Sequence, residues 1–304
     1  FTVMSYTDNA LTFDGTFRPL DWVALTKLYG VSKSYRPEDD IYYFSESSAV
    51  FIIDGNGKDA IDASNSLEDV YIDLRPGSHC YEGEKSNHIT SAKQLTISHG
   101  TLIEEVKTGS GNDYVIGNQH SNSIFTSDGD DWIFPGLGPD FINAGRGVDL
   151  IDLSEEISSI DIIDLDTSLS TDDFDVIFGF EQGAEGDCLS VGSFVTELIL
   201  LPLVEIENVP GGFITNGLLR ITGDNITKPN NLQNEFDPGG RLHGLDMTDN
   251  SYTFIISSES QDTGEEQHMF LLTKSDGDFD VSPIIKLIGN SLDIDMWTLD
   301  NFII

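Results

Sequence analysis

Apolar residues fall on a fixed beat in the middle of the chain. From Thr108 the sequence divides into five nine-residue units, TGSGNDYVI, GNQHSNSIF, TSDGDDWIF, PGLGPDFIN and AGRGVDLID, and the period never slips. Position eight is always aliphatic: Val115, Ile124, Ile133, Ile142 and Ile151. Position six holds Asp113, Asn122, Asp131, Asp140 and Asp149, and position four holds Gly111, His120, Gly129, Gly138 and Gly147. Repetition at a fixed period is the mark of units that stack. Each unit reads as a half-turn followed by a short strand, with the position-eight side chain pointing inward onto its equivalents. Successive units alternate sides, so unit n faces unit n+2. That predicts one ladder of Asp113, Asp131 and Asp149 and a second of Asn122 and Asp140, with stacked gaps at 113/131, 131/149 and 122/140.

The flanks carry other patterns. A helix is predicted from Pro19 or Leu20 to Tyr29, with proline in its first turn and Gly30 at C′. Trp22, Leu25 and Tyr29 share a face that is expected in the core. Val50-Phe51-Ile52-Ile53 reads as a buried strand, Tyr71-Ile72-Asp73-Leu74 as an alternating one, and 160–165 and 174–178 as two more. From about residue 191 the pattern changes. Pro202, Pro210, Pro229 and Pro238 fall there, and the apolar segments 217–221, 252–256, 269–272 and 284–288 are separated by turn-rich loops. This predicts antiparallel β-structure capping the open end of the stack. The expected organisation is 1–48 as an N-terminal segment with one helix, 49–190 as the stacked region, and 191–304 as a β cap with enlarged loops.

Charge narrows the chemistry. The 304 residues include 53 Asp and Glu against 15 Lys and Arg, a net charge of -38, with 38% hydrophobic residues. The apolar content suffices for a core. The charge excludes nucleic acid as a partner and disfavours an anionic membrane surface. No run of about 18 apolar residues is available for membrane insertion. The start, Phe1-Thr2-Val3-Met4-Ser5-Tyr6, lacks a basic n-region and reads as a cut inside a longer polypeptide. Cys80 and Cys188 either pair in an oxidising compartment or serve as small core residues.

The spacing of the acids assigns them a role. Glycine allows positive φ and lets a turn aim its carbonyls at one point. Positions two (Gly109, Asn118, Ser127, Gly136, Gly145) and four would supply such carbonyls, and position six a carboxylate. An all-oxygen set of this kind suits calcium. A nonapeptide of this form is the calcium-binding repeat of RTX proteins. The expected fold is therefore all-β: a parallel β-roll, that is a calcium-binding RTX nonapeptide solenoid, with an antiparallel β cap and a short N-terminal helix. Several Ca2+ ions and no zinc are expected. The second unit is degenerate, with Asn118, His120 and Asn122 at the ligand positions, so its site should be the weakest or empty. The turn Asp54-Gly55-Asn56-Gly57-Lys58-Asp59 reads either as a further calcium turn or as an ordinary Asp/Gly hairpin; nearness to the roll favours calcium. Asp161, Asp164, Asp166, Asp172 and Asp173 lie outside the repeat and are expected on a solvated face.

Together these features resemble the C-terminal half of the serralysin family of secreted metalloproteases. Val3-Met4-Ser5-Tyr6 resembles the family's Met-turn, and Leu20-Asp21 with Leu28-Tyr29-Gly30 resembles the helix leading into its roll. Arg36 to Phe44, Ile53 to Asp59, Ser98-His99-Gly100 through Glu104 to Asp113, Ile285-Lys286-Leu287-Ile288-Gly289 and Asn301-Phe302-Ile303-Ile304 follow in family order. The likeness is loose between about 191 and 280, a stretch longer than the family's. The resemblance implies a calcium site with backbone oxygens of Arg36, Glu38 and Asp40, side chains of Asp54 and Asp59, and the turn at Asn56 and Gly57. It implies that Glu104 and the Leu102 carbonyl help Asp113 hold an ion, and that Asp175 and Glu185 form a further site. The family's zinc site needs His-Glu-x-x-His on a helix. The histidines here are His79, His88, His99, His120, His243 and His268, and none is followed by Glu.

Two roles stay open at this level. In one, the chain is a non-catalytic recognition module of an RTX adhesin, monomeric within a larger chain. It would sit on or be secreted from a Gram-negative cell and bind a peptide or protein on a target surface. Tyr252, Phe254 or Trp297 would give apolar contact and Arg241 would pair with a carboxylate. In the other, it is the C-terminal secretion and folding region of a serralysin-type zinc protease.

Overall fold

The computed structural model describes residues 19–165 and 174–191, and within 199–303 all but 206–211, 215–216, 223–225, 227, 237–239, 241, 244, 248–251, 259–263 and 276–277. The Met-turn segment, Arg241, Asp166, Asp172 and Asp173 lie outside the described residues. Among the described residues the regular structure is mostly strand, with α-helices at Pro19–Tyr29 and Pro229–Phe236.

Two large sheets form the molecule. The first has eight strands, all parallel. They run in the order Ile41–Tyr42, Ala60–Asp62, Glu105–Lys107, Ser123–Phe125, Phe141–Asn143, Ile162–Asp164, Cys188–Ser190 and Phe302–Ile303. The parallel heart of the second runs Val70–Asp73, Tyr114–Asn118, Trp132–Gly136, Leu150–Asp152, Asp175–Phe178 and Asp278–Leu292. Every strand of the nonapeptide region sits beside the one two units away. Ile133 pairs with Val115 and Ile151, and Ile142 pairs with Ile124. The chain thus alternates between sheets at every unit, as the sequence predicts.

The position-eight residues make the core. Val106, Ile124, Ile142 and Ile163 stack from the first sheet against Ile72, Val115, Ile133 and Ile151 from the second, all fully or almost fully buried in one cluster. A parallel strand pair cannot close through a tight hairpin, so each link must be a turn that crosses between sheets. Glycine makes that turn tight enough. Gly145 has φ +87°, and a Cβ placed on it would lie 1.7 Å from the Ser127 carbonyl oxygen of the turn beneath. Gly145→Ala is expected to cost about 2 kcal/mol or more, since positive-φ strain alone is worth about 1–3 kcal/mol. Urea unfolding in saturating calcium measures it.

The N-terminal helix ends as the sequence predicts: Gly30 takes φ +71° and its N–H donates to the Thr26 carbonyl at 2.8 Å. Its packed face differs. Asp21 and Thr26 are buried, Trp22 and Leu25 are half-buried, and Tyr29 is 82% exposed. Tyr29 is the last helical residue, where the chain turns away, so helical spacing alone does not bring it into the core.

The C-terminal region is mixed rather than antiparallel throughout. Tyr252–Ser258, Gly264–Ser275 and Asp278–Leu292 form an antiparallel meander, but Gly217–Thr222 pairs parallel with Tyr252–Ser258 and with Ile199–Glu205. A parallel pair needs a long crossover, and the segment between 222 and 252 supplies one that includes the helix Pro229–Phe236. Leu232 and Phe236 of that helix are buried in a second apolar cluster with Ile255, Phe270 and Leu272. Asp278–Leu292 then lies parallel to Asp175–Phe178, with Leu287 opposite Ile177, so the meander continues the second sheet of the roll. Among the described residues no helix is long and apolar enough to cross a membrane.

Candidate metal centres

The strand register places the turns of each side directly over one another. The second sheet's turns bring Asp113, Asp131, Asp149 and Asp175 into a single column. The Asp113 N–H donates to Asp131 Oδ1 at 2.7 Å, the Asp131 N–H to Asp149 Oδ1 at 2.9 Å, and the Asp149 N–H to Asp175 Oδ1 at 3.0 Å. Below them the Val70 N–H donates to Asp113 Oδ1 at 2.7 Å. On the first sheet Asn122, Asp140, Asp161 and Asp187 do the same, at 2.6, 2.9 and 2.9 Å. Each rung therefore spends one carboxylate oxygen on the backbone of the rung before it.

The other oxygen is left over. Oδ2 of Asp113, Asp131, Asp140, Asp149 and Asp161 is buried with no hydrogen-bond partner among the described residues. A buried anion without a counter-charge is costly, and burial, the largest cause, raises the pKa values of these carboxyl groups. Asp113 rises to about 6, Asp131 to about 7, and Asp140 and Asp149 to about 8. The carbonyls converge as well. A Cβ on Gly147 would meet the Gly129 carbonyl oxygen at 1.8 Å, and one on Gly129 would meet that of Gly111 at 2.0 Å. Orphaned carboxylate oxygens beside stacked carbonyls fit a hard cation that prefers six to eight oxygens. Gly109, Gly136, Gly138 and Gly145, with Ser127 at φ +73°, lie in the same turns. Calcium held there would supply the positive charge that joins successive turns.

These pKa values set a pH dependence for the calcium-free protein. The folded form holds protons that the unfolded chain gives up near the ordinary carboxylate value of 3.8, so its stability is greatest near or below pH 4 and falls as pH rises towards 8. In EDTA, lowering the pH from 8 to 5 is expected to restore part of the β-signal in circular dichroism. In calcium the sign reverses, because protons compete for the same oxygens, and the calcium midpoint should rise on acidification.

The degenerate second unit is arranged differently. The Asn118 side-chain amide donates to the Ile103 carbonyl at 2.8 Å, and that of Asn122 to the same carbonyl at 3.2 Å. Both amides of this unit are thus engaged on one backbone carbonyl. His120 is exposed, and its backbone N–H donates to Asn118 Oδ1 at 2.9 Å.

A separate cluster lies at the start of the roll. Asp40, Asp54 and Asp59 bring carboxylate oxygens within 4.8 Å of one another, with Asp54 and Asp59 buried. The Tyr42 hydroxyl donates to Asp54 Oδ2. The Asp40 N–H donates to Asp59 Oδ1 at 2.9 Å, so this cluster is the lower end of the first-sheet ladder. A Cβ on Gly57 would lie 2.4 Å from the Glu38 carbonyl oxygen and 2.8 Å from Asp59 Oδ1, which puts that carbonyl beside the cluster. Arg36, with φ +48°, places its guanidinium 3.1 Å from Asp40 Oδ2. The Asn56 N–H donates to Asp54 Oδ1 at 3.3 Å.

Three expectations need correction. Glu104 stands on the first-sheet side, where its Oε2 accepts the Asp59 N–H at 2.9 Å; with Leu102 it belongs to a turn entering the other sheet from the one Asp113 enters. Asp175 and Glu185 likewise do not meet. Asp175 ends the second-sheet ladder, while Glu185 is exposed and the first-sheet rung is Asp187. Asp161 is not on a solvated face: it is 1% exposed and occupies a rung. A local signal marks it, since Val148-Asp149-Leu150-Ile151-Asp152 recurs as Ile160-Asp161-Ile162-Ile163-Asp164, and Asp175-Val176-Ile177 and Asp187-Cys188-Leu189 share the Asp-x-aliphatic core. Rungs beyond the repeat are 21 and 26 residues apart instead of 18, which hides them from a period search.

The candidate ligand contacts fare unevenly. Phe254 and Trp297 are buried in the core; Trp297 stacks on Phe180 and its indole N–H donates to Gln267 Oε1 at 2.8 Å. Neither offers surface to a docked peptide. Tyr252 lies on a strand, but its side chain and Arg241 are outside the described residues. Cys80 and Cys188 are both free thiols, Cys80 on the second sheet and Cys188 on the first.

The model of the RTX calcium-binding nonapeptide repeat matches residues 107–142 and 126–155. The chain is 30% identical over 145 residues to serralysin of Proteus mirabilis, covering 41% of this chain and 28% of that protein. It is 32% identical over 145 residues to serralysin of Photorhabdus luminescens, covering 41% and 29%. With the metalloprotease AprA of Pseudomonas entomophila it shares 33% over 118 residues, covering 34% and 23%. The match spans less than a third of each relative's length.

Proposed function

On the premise that the chain carries a calcium-binding RTX β-roll region of the serralysin family, we propose that it is a calcium-triggered folding module of an exported protein of a Gram-negative bacterium. One observation carries this reading: Asp113, Asp131, Asp140, Asp149 and Asp161 each hold a buried carboxylate oxygen that no described residue satisfies. Without an ion those oxygens repel and the unfolded chain is favoured; with it, binding energy becomes folding energy. A calcium-poor cytosol would keep the chain open for export and a calcium-rich exterior would close it. Small-angle scattering tests this. The radius of gyration should fall from about 60 Å without calcium towards about 20 Å with it, the values for an unfolded and a compact chain of this length. A compact chain in EDTA at pH 8 would sink the proposal.

Within that role, recognition of a peptide or protein target, as in an RTX adhesin, is supported by the long stretch between about 191 and 280. A calcium-dependent pull-down from a peptide library tests it. The second reading, the non-catalytic C-terminal part of a serralysin-type zinc protease, is supported by the names of the relatives. The gene upstream discriminates: a His-Glu-x-x-His helix preceding this segment would support the protease and end the adhesin reading.

A further inference from the structure

The two sheets differ on their outer faces. On the second sheet, position seven and its equivalents carry Tyr71, Tyr114, Trp132, Leu150 and Val176, side by side in the strand register. None bears a charge. The matching positions of the first sheet include Glu105, Ser123 and Cys188. The apolar row reaches solvent: Trp132 is 51% exposed and the other four are partly exposed. Five neighbouring strands give it a length of about 19 Å. A contiguous apolar strip of this kind on an outer face marks a contact surface.

The chemistry around the strip narrows its occupant. Tyr71 and Tyr81 stack at 5.0 Å and 9°, and Tyr71 and Tyr114 at 5.4 Å and 12°. The ring faces are spent on one another, which disfavours a sugar that needs an open ring face. The same face continues into the C-terminal region. Val176 lies beside Lys286, and Lys286 beside His268. Phe270, two residues on from His268, shares an apolar cluster with Leu232 and Phe236 of the helix Pro229–Phe236. An amphipathic helix therefore already docks on this face further along the sheet. Acids border the open part. Asp69 and Asp130 are exposed two residues before Tyr71 and Trp132, and Asp152 stands two residues after Leu150. Arg75 is turned onto Asp73, its Nη2 2.6 Å from Oδ2, and Lys85 sits at one edge, 5.9 Å from the centre of the Tyr81 ring. A net charge of -38 makes a second copy of this chain a poor occupant.

We infer that the outer face of the second sheet, centred on Trp132, docks an amphipathic helix of a partner protein, apolar on one side and flanked by lysine or arginine. The strip is long enough for a helix of about 13 residues. This inference rests on the recognition reading, to which it gives a surface and a kind of partner.

The probe is a synthetic peptide of that length with leucines on one helical face and lysines elsewhere. A scrambled peptide of the same composition is the control. Binding to the whole chain is measured by fluorescence anisotropy in calcium at about 0.15 M salt, where attraction between distant charges is largely screened. The wild type is expected to bind the amphipathic peptide more tightly than the scrambled one. Trp132→Ala should weaken that binding at least about tenfold, and Phe125→Ala, on the outer face of the first sheet, should leave it unchanged. Equal binding by wild type and Trp132→Ala, equal binding of the two peptides, or no binding overturns the docking face. A wild-type dimer in sedimentation that Trp132→Ala dissolves overturns the helix and puts a second copy there. Should Trp132→Ala not fold in calcium, NMR of the wild type with a nitroxide-labelled peptide decides. Broadening of the Trp132 indole signal ahead of those of Trp22 and Trp297 supports the face; broadening elsewhere, or none, overturns it. A library peptide captured equally by wild type and Trp132→Ala keeps the recognition reading and overturns this surface.

Discussion

Chelating calcium at pH 8 is expected to abolish the β-signal in far-ultraviolet circular dichroism, and millimolar calcium to restore it in a transition steeper than single-site binding. The magnitude follows from linkage. An ion that binds only the folded state at 100 times its dissociation constant contributes about 2.7 kcal/mol. The gaps 113/131 and 131/149 alone would then contribute about 5 kcal/mol, comparable with the whole stability of an ordinary domain, about 5–15 kcal/mol. The loss is larger than the missing contribution, because the emptied turns keep buried carboxylates that repel. Steepness follows from the stacking. Each carboxylate binds the backbone of the preceding turn, so filling one gap orders a ligand of the next. Spectra unchanged by EDTA would refute the metal-dependent fold.

The second large effect is expected from Asp131→Ala. Asp131 is the middle rung of the second-sheet ladder and is fully buried. It borders two gaps, so its removal takes a ligand from both. It also leaves the Asp113 N–H, now 2.7 Å from Asp131 Oδ1, without an acceptor, and a buried orphan donor costs about 1–3 kcal/mol. Two fewer bound ions and a calcium midpoint raised at least about tenfold, or about 1.4 kcal/mol, are expected. Asp128→Ala, in the same turn but exposed, should change neither. A titration in which the two variants behave alike would show that position six does not hold the ions.

Much of this was legible in the residues. The nine-residue period fixed which apolar side chains face inward, because a strand of three with one central aliphatic residue can bury only that one. It also fixed unit n against unit n+2, because alternating sheets are the only way successive parallel strands of this length can stack. The turn at 54–59 was ambiguous as a sequence. Only its place over Asp40, with three carboxylates within 4.8 Å, distinguishes a metal cluster from a hairpin. The helix Pro229–Phe236 was read as loop because a proline opens it and polar residues dominate it; its two buried anchors, Leu232 and Phe236, find their partners on distant strands.

The sequence by itself determined the period, the inward stack, the oxygen-rich turns and hence calcium as the fitting ion. The tertiary structure alone decided which acids outside the period join the ladders. Asp161, Asp175 and Asp187 take rungs because strand pairing restores the register after insertions of unequal length, and register is a property of neighbouring strands, not of spacing along the chain. It alone separated Glu104 from Asp113 and Asp175 from Glu185, since residues close in sequence but on successive turns enter different sheets. It also enclosed Phe254 and Trp297, because burial depends on what folds over a strand, and a short apolar run reads the same whether or not another layer covers it.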